Sequence, residues 1–240
     1  VSTNKNLLPD SVNLNPNFEK FELYTRPQGG RGTCSVFTVV GALEYAFASA
    51  KGKGTILSVE FLNWASHKVA NRNVDGGFFS ELWDGYVEYG ICAETDMPYL
   101  PEFNVDLQPS AIILEKAKQI QSVPLQLHWI KEWDVNTGLT DEHFEEIKQT
   151  LVDQFPVCGG FRWPKESRWE NEVLQMCPPS EVFDGHSIIL AGYKDNPTRS
   201  GGGVFIIRNS GGNSRDGYMP YEYVKTYMND AVWIEPVLKG

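Results

Sequence analysis

The chain has no Lys- or Arg-rich run, and its 21 basic side chains are outnumbered by 31 acidic ones, for a formal charge of −10. A polyanion such as DNA is bound by clustered cations, so nucleic acid is excluded as a partner. Long apolar runs are missing too. The longest low-charge stretch, Thr33 to Ala50, carries Glu44 and spaced polar residues, and reads as a buried amphipathic helix and not a membrane span. No secretory signal or lipidation motif is visible. Cysteine and histidine number only four each. Cys34, Cys92, Cys158 and Cys177 form no C-x-x-C pair, and His67, His128, His143 and His186 are scattered, so zinc-ligand spacing is absent. H-E-x-x-H, G-x-S-x-G, the phosphate-loop pattern and G-x-G-x-x-G do not occur. The one N-x-Thr, Asn196-Pro197-Thr198, has proline in the middle. Metal, nucleotide and serine-elbow chemistry lack an anchor, and no cofactor or metal is expected.

What is present is an ordinary globular composition, 41% hydrophobic and 22% charged over 240 residues. That length suits one large domain or two small lobes sharing a cleft. Residues 1–33 show little periodicity and end in Gly29-Gly30-Arg31-Gly32. From Cys34, the apolar residues Val36, Phe37, Val39, Val40, Leu43 and Phe47 recur at helical steps. Ser58 reads as the N-cap of a second helix with Glu60 in its first turn, and a third fits Ser80 to Tyr89, ended by Gly90. Shorter helices fit Ser110 to Gln119 and, capped by Thr140, Asp141 to Phe155. Beyond Pro156 the texture changes. Val157–Phe161, Ser187–Tyr193, Val204–Arg208 and Ala231–Ile234 are strand-like. The chain is therefore expected to be α+β, with a helical lobe over 20–123 and a β-rich lobe over 124–240, divided near Val123-Pro124.

Three elements carry chemistry. Cys34 starts the strongest helix, where the partial positive charge of the N-terminus and the nearby Arg31 favour thiolate. Asp184-Gly185-His186 opens an apolar strand, which holds the His backbone on a rigid element. Arg208-Asn209-Ser210-Gly211-Gly212 ends the next strand. Each alone has a plain structural reading: a small buried residue, a hydrogen-bonded His, a turn Asn. Together they give Cys, then His, then Asn in chain order. In that order the sequence resembles the papain-like cysteine peptidases over nearly its whole length. Pro9 to Leu14 looks like the family's mature N-terminal segment. Gln28 stands before Cys34 as the family's oxyanion glutamine stands before its nucleophile. Asp75-Gly76-Gly77, the helix to Tyr89-Gly90-Ile91 and Met97-Pro98-Tyr99 match the stretch flanking the substrate groove. Asp216 to Tyr221 resembles the tail segment of bacterial members.

The resemblance implies a two-lobe fold spanning 1–240, with a helical N-terminal lobe, an antiparallel β-barrel-like C-terminal lobe and the cleft between them. It also implies roles. Cys34 is the nucleophile, His186 the base that takes its proton, and Asn209 the group that orients the imidazole. Gln28, with the Cys34 N–H, binds the oxyanion. Gly76 and Gly77 pair with an extended peptide, Gly185 offers it a carbonyl, and Gly160 lines the main side-chain pocket. Three positions depart from the family pattern: Arg31 stands where a cysteine is usual, Ser35 where an aromatic follows the nucleophile, and Gly211 where a Trp shields the Asn–His hydrogen bond. Trp163 or Trp169 is the candidate to cover that bond instead. Loss of the cysteine at 31 removes one usual disulfide, and leaves open whether Cys158 pairs with Cys177 or stays reduced.

The expected activity is hydrolysis of peptide bonds through a thioester acyl-enzyme. The alternatives are a catalytically silent module that binds peptides in the same cleft, suggested by Ser35 and Gly211, and an acyl or amide transferase using the same triad. The expected partners are a peptide or protein substrate and, as the resemblance implies, an inhibitory propeptide, which would lie outside a sequence that opens at Val1, where the family's mature enzyme would begin. The acidic balance and the bacterial-like tail point to a secreted or periplasmic protein. Residues 128–140 and 162–181 have no counterpart in the pattern and are expected to restrict the cleft.

Overall fold

The computed structural model describes residues 7–212 and 216–237, apart from the Asp184 side chain. Val1 and the last residues of the β-rich half, 238–240, lie outside the described residues. The elements run β1 (Ser11–Asn13), α1 (Asn15–Lys20), α2 (Cys34–Lys51), α3 (Val59–Ala70), α4 (Phe79–Tyr89), α5 (Ala111–Gln121), β2 (Leu125–Lys131) and α6 (Asp141–Val152). There follow β3 (Val157–Pro164), β4 (Trp169–Glu170), β5 (Val173–Leu174), β6 (Val182–Asp195), β7 (Gly203–Arg208), β8 (Gly217–Pro220), α7 (Tyr221–Tyr227) and β9 (Met228–Pro236).

The helical periodicity from Cys34 becomes α2, which is buried on nearly every side between Ser35 and Ala48. A helix apolar all round must be covered all round. On one side α2 packs against β6, β9 and β3, and on the other against α3 and α4. Val36, Val40, Leu43 and Phe47 join Leu62, Leu82, Tyr86, Cys158 and Val232 in one core cluster. Ser58 caps α3 as expected, its hydroxyl accepting the Phe61 N–H at 2.9 Å. Ser110 and Thr140 cap α5 and α6 in the same way.

The strands form one sheet in the order β2-β9-β3-β6-β7-β8-β5-β4, with β1 paired to β6 outside that path. All its ladders are antiparallel except the β5–β8 pair. The lobe division expected near Val123-Pro124 would fall between α5 and β2. The segment before α2 crosses over, so that β1 and the buried Leu14, Phe18 and Leu23 belong with the sheet's core.

Several boundaries move. α6 stops at Val152, short of Phe155. Pro156 disfavours helix at the residue before it, and Gln154 turns the chain with φ +71. The four expected strands are each longer, because ladder pairing carries on past the apolar runs that mark them in the sequence. β1, β2, β4, β5, β8, α1 and α7 go beyond the sequence expectation. All but β2 are too short to show a period, and β2, Leu125–Lys131, opens on a brief alternation easily taken for loop. The open question about Cys158 and Cys177 is settled: all four cysteines are free thiols. Cys158 is buried against α2, its thiol directed at the Thr38 carbonyl. Cys177 lies beside Tyr227.

Candidate active site

Cys34 is the first residue of α2, so its own N–H has no acceptor within the helix. β6 carries Gly185 and His186 past this helix end, and the Cys34 thiol donates to the Gly185 carbonyl at 3.7 Å. Asn209 follows β7, the neighbour of β6, and its Oδ1 lies 2.8 Å from His186 Nε2. The same Oδ1 accepts the Gly211 N–H at 2.9 Å, which fixes the orientation of the amide. An oxygen facing Nε2 requires that nitrogen to carry the proton. In the neutral ring Nδ1 then holds the lone pair.

Cys34 and His186 line one cavity of about 350 Å³, together with Gly76, Gly77, Gly160 and Gly185. His186 also forms part of a second cavity, of about 570 Å³, with Gln28 and Asn209. The imidazole thus stands between two open spaces. All eight candidates named from the sequence border one or the other.

The thiol and the imidazole are both sheltered. Burial pushes the Cys34 thiol up, opposed by hydrogen bonds from Ser187 and from the backbone of Ser35 and Cys34. Burial pushes His186 down, opposed by Asn209. Each shift favours the neutral form of one group taken singly. A proton moved from sulfur to Nδ1 would create both charges in the one cavity, where their attraction offsets that penalty.

Arg31 does not serve the thiolate, contrary to the sequence expectation. Its guanidinium makes five hydrogen bonds, to Glu60, Asp75 and the Leu100 carbonyl, which use its whole donor set. It is 6% exposed and lies 4.6 Å from the Tyr99 ring centroid. Burial alone would lower its pKa, and the bonds and charges of Asp75 and Glu60 raise it. Two carboxylates around one guanidinium leave no positive field for Cys34. The positive end of α2 and the Ser187 donors remain.

The Arg31 cluster holds the cleft wall. Asp75 precedes Gly76, and Asn63 bridges them, donating to Asp75 at 3.0 Å and accepting the Gly76 N–H at 3.0 Å. The Gly77 N–H donates to Ser35 Oγ at 3.2 Å. Both glycine N–H groups expected to meet a peptide are therefore engaged, which leaves their carbonyls for that role. Ser35, standing where the family pattern has an aromatic, ties this wall to α2.

Gln28 is anchored at both ends. Its Nε2 donates to the Arg31 carbonyl at 2.9 Å, and its Oε1 accepts from Ser210 Oγ at 3.0 Å. One Nε2 hydrogen is left for a ligand. Gly211 is explained by contact. A Cβ there would lie 2.9 Å from His186 Cε1 and 3.1 Å from Asn209 Oδ1. The covering aromatic is Trp163, whose ring sits 4.5 Å from that of His186 at 62°. Trp169 packs behind it at 6.4 Å. The segments without a counterpart do reach the cleft. Trp133 lines the Cys34 cavity and meets Phe78 across it at 5.4 Å, and Trp163, Ser167 and Trp169 line the second cavity.

A profile described as papain family cysteine protease matches residues 9–232. The chain belongs to the papain family of cysteine proteases. Among curated relatives, an uncharacterised peptidase C1-like protein of Acanthamoeba polyphaga mimivirus is 26% identical over 214 residues, 82% of this chain and 64% of that protein. Cysteine proteinase 3 of Solanum lycopersicum is 26% identical over 204 residues, 83% of this chain and 52% of that protein. The chain thus spans between half and two thirds of the length of these relatives. Among solved structures, xylellain, a cysteine protease from Xylella fastidiosa, superposes with TM-score 0.74 at 22% identity, over 97% of this chain and 88% of that one. Digestive procathepsin L 3 of Tenebrio molitor gives TM-score 0.67 at 19% identity, over 98% and 72%. These likenesses establish the α+β papain-like fold. No helix among the described residues is long and apolar enough to cross a membrane, and they hold no cluster of metal-ligating side chains.

Proposed function

We propose that this papain-family chain is a cysteine peptidase whose nucleophile is Cys34. The observation that carries the reading is the His186 Nε2–Asn209 Oδ1 contact of 2.8 Å, which leaves Nδ1 basic in the cavity that Cys34 lines. His186 takes the thiol proton, and the thiolate attacks the substrate carbonyl. The tetrahedral oxyanion receives the Cys34 N–H and the remaining Gln28 Nε2–H; one such donor is worth about 2.7–4 kcal/mol in the transition state. His186 returns the proton to the leaving amine, and a thioester remains. Water, deprotonated by His186, hydrolyses the thioester and frees the thiol.

The substrate lies as an extended strand between the Gly76–Gly77 carbonyls and Gly185, which adds backbone pairing to an existing edge. To accept the peptide, Gly185 gives up the weak thiol bond. Trp163 weighs against a silent module, since it puts an aromatic ring against His186 although Gly211 carries no side chain. A propeptide occupying the same cleft, and export from the cytoplasm, belong to this reading as partner and location.

The test is turnover of an unbiased peptide library, read by mass spectrometry, with wild type and Cys34→Ala. Cleavage that disappears in the variant supports the reading. Equal background in both removes it. Amine-capped products in place of acids, with a nucleophilic amine added, replace hydrolysis by transfer.

A further inference from the structure

The Cys34 cavity contains a charge that the chemistry above does not use. β3 and β9 pair Cys158 with Val232 and Gly160 with Asp230. Residues two apart on a strand share a face. Cys158 lies under α2 with its thiol at the Thr38 carbonyl. The next pair on that face is Gly160 with Asp230. Cys34 is one helical turn before Thr38, and Gly160, Asp230 and Cys34 all border the cavity.

Asp230 is 4% exposed. Its Oδ1 accepts the Gly160 N–H at 2.9 Å. Its Oδ2 has no hydrogen-bond or ion-pair partner among the described residues. Gly160 leaves this room: a Cβ there would lie 2.2 Å from Oδ1. The surrounding charges are already matched. Arg72 pairs with Glu81 and Asp75 with Arg31. Lys131 on β2 favours the Asp230 charge from a distance, but its Nζ donates to the Asn229 and Asp134 carbonyls. Cys34 and His186 are the remaining titratable groups facing the cavity. On the rim, Phe78 and Trp133 are each 47% exposed.

A buried carboxylate with one oxygen unpartnered is costly alone and is matched by a cationic donor. Aromatic rings at the entrance suit an aliphatic stem or a guanidinium face. We propose that Asp230 makes this a pocket for a basic side chain, so that the protein selects peptides carrying Arg or Lys at the residue that enters beside Cys34. The inference rests on the peptidase reading and names its substrate class. Burial raises the Asp230 carboxyl to about 6, against the Gly160 N–H and Lys131, which lower it. The preference for a basic residue therefore strengthens as pH rises through that value and fades below it.

The experiment uses peptides scanned with Arg, Lys, Leu or Glu at each of the positions flanking the cleaved bond, with wild type and Asp230→Asn. Asn keeps the volume and the acceptor for Gly160, and a thermal melt checks the fold. At one position, wild type favours Arg or Lys over Leu by about tenfold or more in kcat/KM, and Asp230→Asn loses that ratio. Preference for Leu or Glu at every position, or an unchanged Arg/Leu ratio in the variant, overturns the proposal. If Asp230→Asn does not fold, the wild-type Arg/Leu ratio is followed from about pH 4.5 to about pH 7.5. A rise through about 6 supports the pocket, and a flat ratio overturns it. If no peptide is cleaved, calorimetric binding of the same peptides decides. Arg-selective binding lost in Asp230→Asn upholds the pocket while the peptidase reading falls, and equal binding of Arg and Leu peptides overturns the pocket as well.

Discussion

Arg31 holds both oxygens of Asp75, at 2.8 Å and 3.1 Å, immediately before the glycines that form one wall of the Cys34 cleft. The second carboxylate on the same guanidinium, Glu60, reaches it at 2.7 Å from the first turn of α3. In chain order these three residues are far apart. In the fold they join the loop before α2, α3 and the cleft wall through charge, at the position where the family pattern has a cysteine.

Replacing Arg31 by Met strands the buried Glu60 and the partly buried Asp75 and is expected to cost about 3–5 kcal/mol, read as a lower thermal midpoint. Arg31→Lys rescues little, because an ammonium cannot bind two carboxylates as a planar fork. Where the variants remain folded, KM rises more than kcat falls, since the Gly76–Gly77 wall moves while the His186–Asn209 bond does not. Equal loss in both parameters would place the cluster's effect on the chemistry.

The Trp163 ring packs 4.5 Å from that of His186, beside its bond to Asn209. Trp163→Ala lets water reach it and is expected to lower kcat by about tenfold, close to the net worth of one exposed-versus-buried hydrogen bond, with KM little changed. Gly211→Ala places a methyl against His186 Cε1 and Asn209 Oδ1, and lowers kcat at least as much. Steady-state kinetics on both variants check this.

Ser187 donates to the sulfur through both side chain and backbone. Ser187→Ala removes the side-chain donor, which favours thiolate, so the pH profile of Cys34 alkylation shifts upward and the rate below the transition falls. An unshifted profile shows that the backbone donors and the helix end suffice.

Asp230 costs stability when ionised. Its folded value of about 6 stands above the ordinary 3.8, so stability is highest below the ordinary value and is lost as pH rises through about 6. The difference amounts to about 3 kcal/mol at neutral pH. Asp230→Asn is accordingly expected to raise the thermal midpoint above pH 6 and to leave it unchanged near pH 3.5. Melting curves at the two pH values test the sign.

The sequence made some of this legible and left the rest hidden for a physical reason. The α2 helix, the His186 strand and Asn209 were readable because local period, an apolar run and chain order mark each of them. Ser58, Ser110 and Thr140 announced their helices because a cap is a contact within one turn. Arg31 was misjudged as support for the thiolate: its neighbour in sequence is Cys34, but its partners Glu60 and Asp75 come from other elements. Asp230 carries no signal in the sequence, since nothing local says that β9 lies beside β3 and pairs Asp230 with Gly160. Trp163 was named only as one of two candidates, because ring placement depends on the same sheet order. Local signals fixed the elements, while the ladder pairing decided which charges share a cavity.

The most direct test of Cys34 as an activated nucleophile is the rate at which iodoacetamide labels each thiol, mapped by peptide mass spectrometry across pH. Cys177 serves as the internal control, because it is free and likewise only partly buried. The account gives Cys34 a rate well above that of Cys177 at about pH 5–6, lost in His186→Ala. Labelling of Cys34 that merely follows Cys177, rising only as ordinary thiols ionise near pH 8.5, contradicts it.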